Sequence, residues 1–86
     1  MSGPVGLAVL GSTGSVGRST LSVVALHPER FRVAVLAARV SWQAIVEQAR
    51  QVRAETVVLV DPEAAALARE ALRAVGAATR VLSGPE

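Results

Sequence analysis

Three glycines spaced three residues apart, Gly11, Gly14 and Gly17, separate an apolar run from a helical pattern near the start of the 86-residue chain. The run before them, Val5–Leu10, is short and apolar, which favours a buried parallel strand. The pattern of Ser15–Leu26 is helical and ends before a His-Pro pair, because the residue before a proline disfavours the helical conformation. The stretch therefore predicts a strand, a tight turn and a helix in direct succession.

The rest of the chain continues this alternation. Asp61 and Pro62 begin a third helix as N-cap and first helical residue, and Gly76 ends it. The other predicted elements are strands at residues 31–37, 56–60 and 79–82 and a helix at residues 41–52 with Ser41 as its N-cap. The predicted buried side of the third helix carries Leu67, Ala68, Ala71, Leu72 and Val75. The order βαβαβαβ predicts an α/β, Rossmann-like parallel sheet with right-handed crossovers, half of a doubly wound dinucleotide-binding domain.

Composition excludes several classes of protein. With 51% hydrophobic and 19% charged residues the chain is typical of one small globular domain. A formal net charge of +2 is too small to favour nucleic acid, and no apolar stretch approaches the roughly 20 residues of a membrane helix. The chain lacks cysteine and a signal-peptide layout at its start, so we expect a cytoplasmic domain without a membrane or nucleic-acid partner.

A glycine-rich turn between a first strand and a first helix suits the binding of a pyrophosphate. Without a Cβ, glycine lets backbone N–H groups approach the phosphates, and the helix N-terminus adds the positive end of its dipole. Ser12, Thr13 and Ser15 can add hydroxyl donors. The chain context predicts a dinucleotide site that includes all three glycines, and the alternative is a turn that only packs a strand against a helix.

The residues after the second strand bear on the choice between NAD and NADP. An NAD site usually carries an acidic residue there, whereas a basic residue suits the 2′-phosphate of NADP. No carboxylate is present in this stretch, but Arg39 is, and a guanidinium binds phosphate through charge-assisted hydrogen bonds. We therefore expect NADPH, with Arg39 and Ser41 near the 2′-phosphate. The alternative makes Arg39 an ordinary exposed loop residue and Ser41 only an N-cap.

The stretch LGSTGSVGRSTLSVVALHPERFRVAVLAA resembles the opening of the 1-deoxy-D-xylulose 5-phosphate reductoisomerase family. Members of that family open with LGSTGSIG, a helix and an H/NPE-x-F-x-V run, and the similarity continues through VEQAR, VVLVD and RVLSG. The resemblance implies an NADPH-dependent oxidoreductase of the non-mevalonate isoprenoid pathway, which isomerises and reduces a sugar phosphate to 2-C-methyl-D-erythritol 4-phosphate.

The resemblance also implies nucleotide contacts at particular positions. After the second strand the family commonly has a glycine, a basic residue and an asparagine. Here Arg39 can stand in for the basic residue and Ser41 for the asparagine, while Ala38 replaces the glycine. In the first turn, the implied contacts are Thr13, Gly14, Ser15 and Val16.

The family's divalent metal, Mg or Mn, and its substrate phosphate are bound by residues downstream of the stretch that ends at Glu86. We therefore expect residues 1–86 to be the N-terminal part of the NADPH-binding domain, with no catalytic or metal-binding residues and no activity alone. Asp61 and Glu63 are assigned to a helix start, where acidic residues stabilise the dipole, rather than to a metal. His27 is assigned to a helix end rather than to catalysis.

In the family the sheet continues beyond the first strand, so Val5–Leu10 is expected to have an unpaired edge in this chain. An unpaired apolar edge invites pairing, which predicts a homodimer or aggregates.

Two other functions remain open. One is a non-catalytic nucleotide-binding or scaffold domain derived from the family. The other is a different NADP-dependent enzyme such as aspartate-semialdehyde dehydrogenase, although its turn usually reads GATG.

Overall fold

Strands and helices alternate strictly in the computed structural model, which describes residues 5–11 and 13–84. The elements are β1 (Val5–Leu10), α1 (Ser15–Leu26), β2 (Phe31–Ala38), α2 (Trp42–Val52), β3 (Thr56–Leu59), α3 (Pro62–Ala74) and β4 (Arg80–Ser83). The predicted βαβαβαβ order is confirmed, and the predicted ends of the elements differ from the observed ends by no more than one residue.

The four strands form one parallel sheet in the order β1-β2-β3-β4. Each of the first three strands is followed by a helix and then by the neighbouring strand, and right-handed crossovers of this kind place all three helices on one face. Successive strands advance in one direction across the sheet, as they do in one half of a doubly wound fold. The Rossmann-like class predicted from the sequence is therefore confirmed.

The hydrophobic core lies between the sheet and this layer of helices. Leu36, Leu59 and Ile45 have no exposed surface, so β2, β3 and α2 meet at its centre. The buried side of α3 consists of Ala64, Ala65, Ala68 and Leu72.

Two residues predicted for the buried side of α3 are instead exposed. Leu67 is 41% exposed and Val75 is 49% exposed. Ala64, Ala68 and Leu72 follow one another at intervals of four residues, which turns Leu67 away from the sheet. Val75 lies one residue beyond the last helical residue, so it does not share the helix packing.

The other face of the sheet is uncovered in the described parts of the chain. Leu10, Val60 and Leu82 are 77%, 40% and 46% exposed, respectively. On the same face the Arg32 side chain lies over Gly6 and forms an ion pair with Glu55. Apolar side chains and one ion pair therefore share this face.

The helix termini follow the sequence rules. The Asp61 carboxylate accepts a hydrogen bond of 2.8 Å from the Ala64 N–H, and Glu63 lies in the same first turn, which confirms both assignments to the start of α3. His27 is the C-cap of α1. Within the described ranges, none of the helices has both the length and the apolar character required to cross a membrane.

We predict that Leu36→Ala lowers the free energy of unfolding by about 2–5 kcal/mol, because it leaves a cavity at the centre of the core. The matched change Leu26→Ala, at a side chain that is 75% exposed, is expected to stay within about 0.5 kcal/mol of the unmodified chain. Urea unfolding followed by circular dichroism measures both values. Similar losses in the two variants would contradict the assigned core.

Candidate functional site

The turn after β1 and the loop after β2 lie side by side at one edge of the sheet. Because β1 and β2 are adjacent and parallel, both chains leave the sheet at the same end. A cleft of about 530 Å³ opens between them. Its lining residues are Gly11, Thr13, Ala37, Ala38, Arg39, Val40, Ser41 and Val60. The structure thus brings the glycine turn next to the loop that contains Arg39, the two segments for which nucleotide contacts were predicted.

The turn depends on the backbone of Gly11. Gly11 has a φ of +64°, in the left-handed region that favours glycine, and its carbonyl accepts a hydrogen bond of 3.0 Å from the Gly14 N–H. This bond closes the turn and directs the chain into α1. Ser12 lies outside the described residues, so its predicted hydroxyl contribution stays a prediction.

The N-terminus of α1 differs from that of α3. Its N-cap is Gly14, no side chain caps it, and its first turn carries no acidic residue. Ser15 and Val16, the first two residues of the helix, are exposed. The first N–H groups of a helix have no partner within it, so those of α1 are available to an anion from solvent, and the dipole favours negative charge there.

Gly14 is not required by the conformation of the protein alone. Its φ of −80° and ψ of 175° are accessible to any residue. A Cβ built at this position would lie 3.4 Å from the Gly11 carbonyl oxygen, an ordinary van der Waals contact, and beyond its chain neighbours it would meet no other atom of residues 5–11 and 13–84 within 4 Å. The space that this Cβ would occupy is therefore open for a ligand. Gly17 is buried within α1, as the close approach of helix and sheet requires.

The loop after β2 is anchored through its backbone. The Ala38 carbonyl accepts from the Val60 N–H at 3.2 Å, and the Arg39 carbonyl accepts from the Asp61 N–H at 3.1 Å. Both bonds tie the loop to the chain that leaves β3. The Arg39 residue itself is exposed at the cleft. The position of Arg39 is thus fixed by the sheet, while its guanidinium remains accessible to a ligand.

Ser41 occupies the predicted N-cap position of α2 without making a capping hydrogen bond. Its φ of −78° and ψ of 64° form an inverse γ-turn, in which the Trp42 N–H donates to the Val40 carbonyl at 2.7 Å. An N-cap normally has extended backbone geometry, and this departure explains the missing bond. The capping role predicted for the Ser41 hydroxyl is therefore wrong, although the position of Ser41 is right.

Sequence reasoning missed the contribution of Arg18 to the turn. The Arg18 Nε–H donates a hydrogen bond of 2.8 Å to the carbonyl oxygen of Thr13. The available signal was a basic residue in the first turn of a helix, where the dipole disfavours a positive charge unless another interaction holds it.

The chemistry of this edge suits an anion. Backbone N–H groups, hydroxyls and a guanidinium are all donors to phosphate oxygens. Within residues 5–11 and 13–84, no three His, Asp or Glu side chains come together in a way that could hold a metal ion. The donors present at this edge therefore fit the phosphates of a nucleotide.

Known proteins identify the family. A sequence model of 1-deoxy-D-xylulose 5-phosphate reductoisomerase matches residues 7–86. The chain belongs to the 1-deoxy-D-xylulose 5-phosphate reductoisomerase family. It is 51% identical over 78 residues to the reductoisomerase of Nitrosospira multiformis, covering 91% of this chain and 20% of that protein. This membership excludes the aspartate-semialdehyde dehydrogenase alternative.

Solved structures of the family share the fold. The reductoisomerase of Zymomonas mobilis in complex with NADPH superposes with a TM-score of 0.89 at 32% identity, covering 98% of this chain and 22% of that one. A reductoisomerase in complex with NADPH, fosmidomycin and magnesium gives a TM-score of 0.86 at 30% identity, covering 93% of this chain and 19% of that one. The chain spans about a fifth of the length of these relatives.

We predict different effects of alanine at the two turn glycines. Gly11→Ala is expected to cost about 1–2 kcal/mol of unfolding free energy, because it forces a Cβ into the left-handed region. Gly14→Ala is expected to cost less than about 1 kcal/mol, because its backbone and surroundings accept a Cβ. Urea titration of both variants measures the difference. An equal loss at the two positions would contradict the open space assigned to Gly14.

Proposed function

We propose that this chain binds the adenosine 2′-phosphate and pyrophosphate side of NADPH as the N-terminal part of a reductoisomerase nucleotide-binding domain. The observation that carries the proposal is that the glycine turn, through Gly11 and Thr13, lines the same cleft as Arg39 and leads directly into the uncapped N-terminus of α1. A turn that opens a helix N-terminus and a guanidinium, both of which favour anions, thus border one opening. NADPH has two separate anionic groups, a pyrophosphate and a 2′-phosphate, which match this arrangement.

Each side of the cleft has its own role. The first N–H groups of α1 bind the pyrophosphate, with Gly11, Gly14 and Gly17 shaping the turn and Thr13 and Ser15 adding hydroxyls. Val16 contributes its backbone N–H while its side chain remains exposed. The Arg39 guanidinium binds the 2′-phosphate. The Ser41 hydroxyl makes no capping bond, so it can donate to the same phosphate.

We further propose that residues 1–86 do not catalyse the reaction by themselves. In the complete enzyme NADPH supplies the hydride that reduces the isomerised sugar phosphate, in the isoprenoid pathway implied by the resemblance. The chain spans about a fifth of its relatives, and the described residues contain no cluster of metal ligands. Its own residues bind and orient the nucleotide, while metal and sugar phosphate require residues beyond it. Its location in the cytoplasm stays a prediction.

We predict that calorimetric titration of the 86-residue chain shows saturable binding that favours NADPH over NADH. Arg39→Ala is expected to weaken the binding of NADPH about tenfold or more and to leave the affinity for NADH unchanged, because only NADPH carries the 2′-phosphate. Arg73→Ala is the matched control. It removes the same charge from an exposed residue in the last turn of α3, which lies at the opposite end of the sheet.

Two results would contradict the proposal. If the folded chain binds neither nucleotide, it is not sufficient for the site, and the scaffold alternative gains support. If Arg39→Ala weakens NADH as much as NADPH, Arg39 does not recognise the 2′-phosphate. Circular dichroism of each variant establishes that the chain is folded before either result is interpreted.

We also propose that this chain forms a homodimer through the edge of β1. Among the described residues β1 pairs only with β2, and Val5–Leu10 contains no charged residue. The other edge strand, β4, is shorter and contains Arg80, and Arg69 donates a hydrogen bond of 3.1 Å to the Val81 carbonyl. Charge, short length and side-chain contact are features that discourage edge pairing. The β1 strand is two residues longer than β4 and carries no charged residue, so two copies can join β1 to β1 about a two-fold axis.

We predict that sedimentation velocity shows a monomer–dimer equilibrium that depends on protein concentration. Ala8→Lys is expected to shift it to monomer, because it places two like charges at the paired edge. Ala66→Lys, at an exposed position of α3, is the matched control and should dimerise as the unmodified chain does. A monomeric profile of the unmodified chain up to high concentration would contradict the dimer.

A further inference from the structure

The peptide group between Thr13 and Gly14 is held by hydrogen bonds at both of its polar atoms. Its N–H, which belongs to Gly14, donates to the Gly11 carbonyl at 3.0 Å. Its carbonyl oxygen, which belongs to Thr13, accepts from the Arg18 Nε–H at 2.8 Å. One bond lies within the turn, and the other comes from the first turn of α1. Together they fix the plane of the peptide that immediately precedes the open N-terminus of the helix.

The orientation of this peptide matters for an anion at the turn. A carbonyl oxygen carries partial negative charge, so a Thr13 carbonyl turned towards a pyrophosphate would repel it. The hydrogen bond from Arg18 keeps this oxygen occupied. The guanidinium also places positive charge against this carbonyl, which opposes its rotation towards an anion at the turn.

The location of Arg18 is unfavourable for the helix itself. A cation in the first turn of a helix opposes the dipole, and α1 has no acidic residue there to offset it. The side chain is exposed, so burial does not explain its placement. The hydrogen bond to Thr13 is the contact that holds the guanidinium at this end of the helix.

We propose that Arg18 is a positioning residue of the nucleotide turn, acting through the Thr13 carbonyl rather than by contact with the nucleotide. This inference rests on the proposed binding of NADPH. Because the pyrophosphate is common to NADPH and NADH, Arg18 supports both nucleotides equally. Arg39, in contrast, acts on the 2′-phosphate alone.

The experiment compares Arg18→Ala with the unmodified 86-residue chain, with Arg73→Ala as control. Arg18→Ala is expected to weaken the binding of NADPH and of NADH by the same factor, about three- to tenfold, the net effect of one lost hydrogen bond of ordinary strength. The slope of binding against salt concentration is expected to stay unchanged, because no phosphate contact is lost. Arg73→Ala should leave affinity and slope unchanged.

A second measurement needs no nucleotide. Amide hydrogen exchange of Gly14, followed by NMR on the free chain, should become at least about threefold faster in Arg18→Ala, while core amides such as Leu36 keep their rates. A global loss of stability would instead accelerate the core amides as well. Faster exchange at Gly14 with unchanged exchange in the core would therefore distinguish a local effect on the turn from a general loss of stability.

The outcomes separate the two proposals. If the unmodified chain binds neither nucleotide, the proposed function fails, and the exchange rate of Gly14 still decides whether Arg18 holds the turn. Loss of NADPH affinity alone, or a reduced salt slope, would show a direct phosphate contact and overturn the positioning role. Unchanged Gly14 exchange in Arg18→Ala would also overturn it.

Discussion

The parallel pairing of β1 with β2 is the constraint on which the candidate site depends. The register pairs Leu10, the last residue of β1, with Ala37, one residue before the end of β2, so the two strands end nearly level at one edge of the sheet. The chain then leaves β1 through the glycine turn and leaves β2 through the Arg39 loop, and the two segments border one cleft. Antiparallel pairing would place them at opposite edges. The right-handed crossovers add the helix N-termini at the same edge, and in the first turn of α1 no acidic residue offsets the positive end of the dipole.

The three glycines of the turn serve three different physical needs. Gly11 supplies a backbone conformation, since its φ of +64° is unfavourable for residues with a Cβ. Gly17 is buried, where a small residue lets helix and sheet approach. Gly14 meets neither need, because its φ is −80° and a Cβ there meets only ordinary contact. A residue without a Cβ at position 14 leaves the N-terminus of α1 accessible from solvent, which is what the proposed binding of a pyrophosphate requires.

The order of elements could be predicted from the sequence because each signal is local. Asp61 as N-cap and Pro62 as first helical residue are sufficient to mark the start of α3. The Asp61 carboxylate makes the capping hydrogen bond that this pair predicts. The geometry of the loop at Ser41 could not be predicted, because a serine before a helix also suits an ordinary N-cap. The contact of Arg18 with Thr13 depends on the closed turn, which the residue types alone do not specify.

The irregular register between β1 and β2 could also not be predicted from the sequence. The pairing shifts between Leu7 and Ala8, so that Leu7 pairs with Val33 and Ala8 with Val35. As a result Val33 and Leu36, three residues apart, both face the helices, whereas strict alternation would have buried every second residue. The run FRVAVLA is apolar at most positions, so it carries no signal for this shift. The shift determines that Ala38 points inward before Arg39 enters the cleft, and hence where the loop begins.

The two sides of the cleft are supported by different parts of the fold. The Arg39 loop is tied to the chain leaving β3 by two backbone hydrogen bonds, which no side-chain substitution at the turn removes. The glycine turn is closed by the hydrogen bond from the Gly14 N–H to the Gly11 carbonyl and is tied to α1 by the Arg18 side chain. Groups that share no partner contribute to binding almost independently. In the proposed function, selectivity for the 2′-phosphate and affinity for the pyrophosphate would therefore rest on separate parts of the fold, and variation at position 18 would change the second without changing the first.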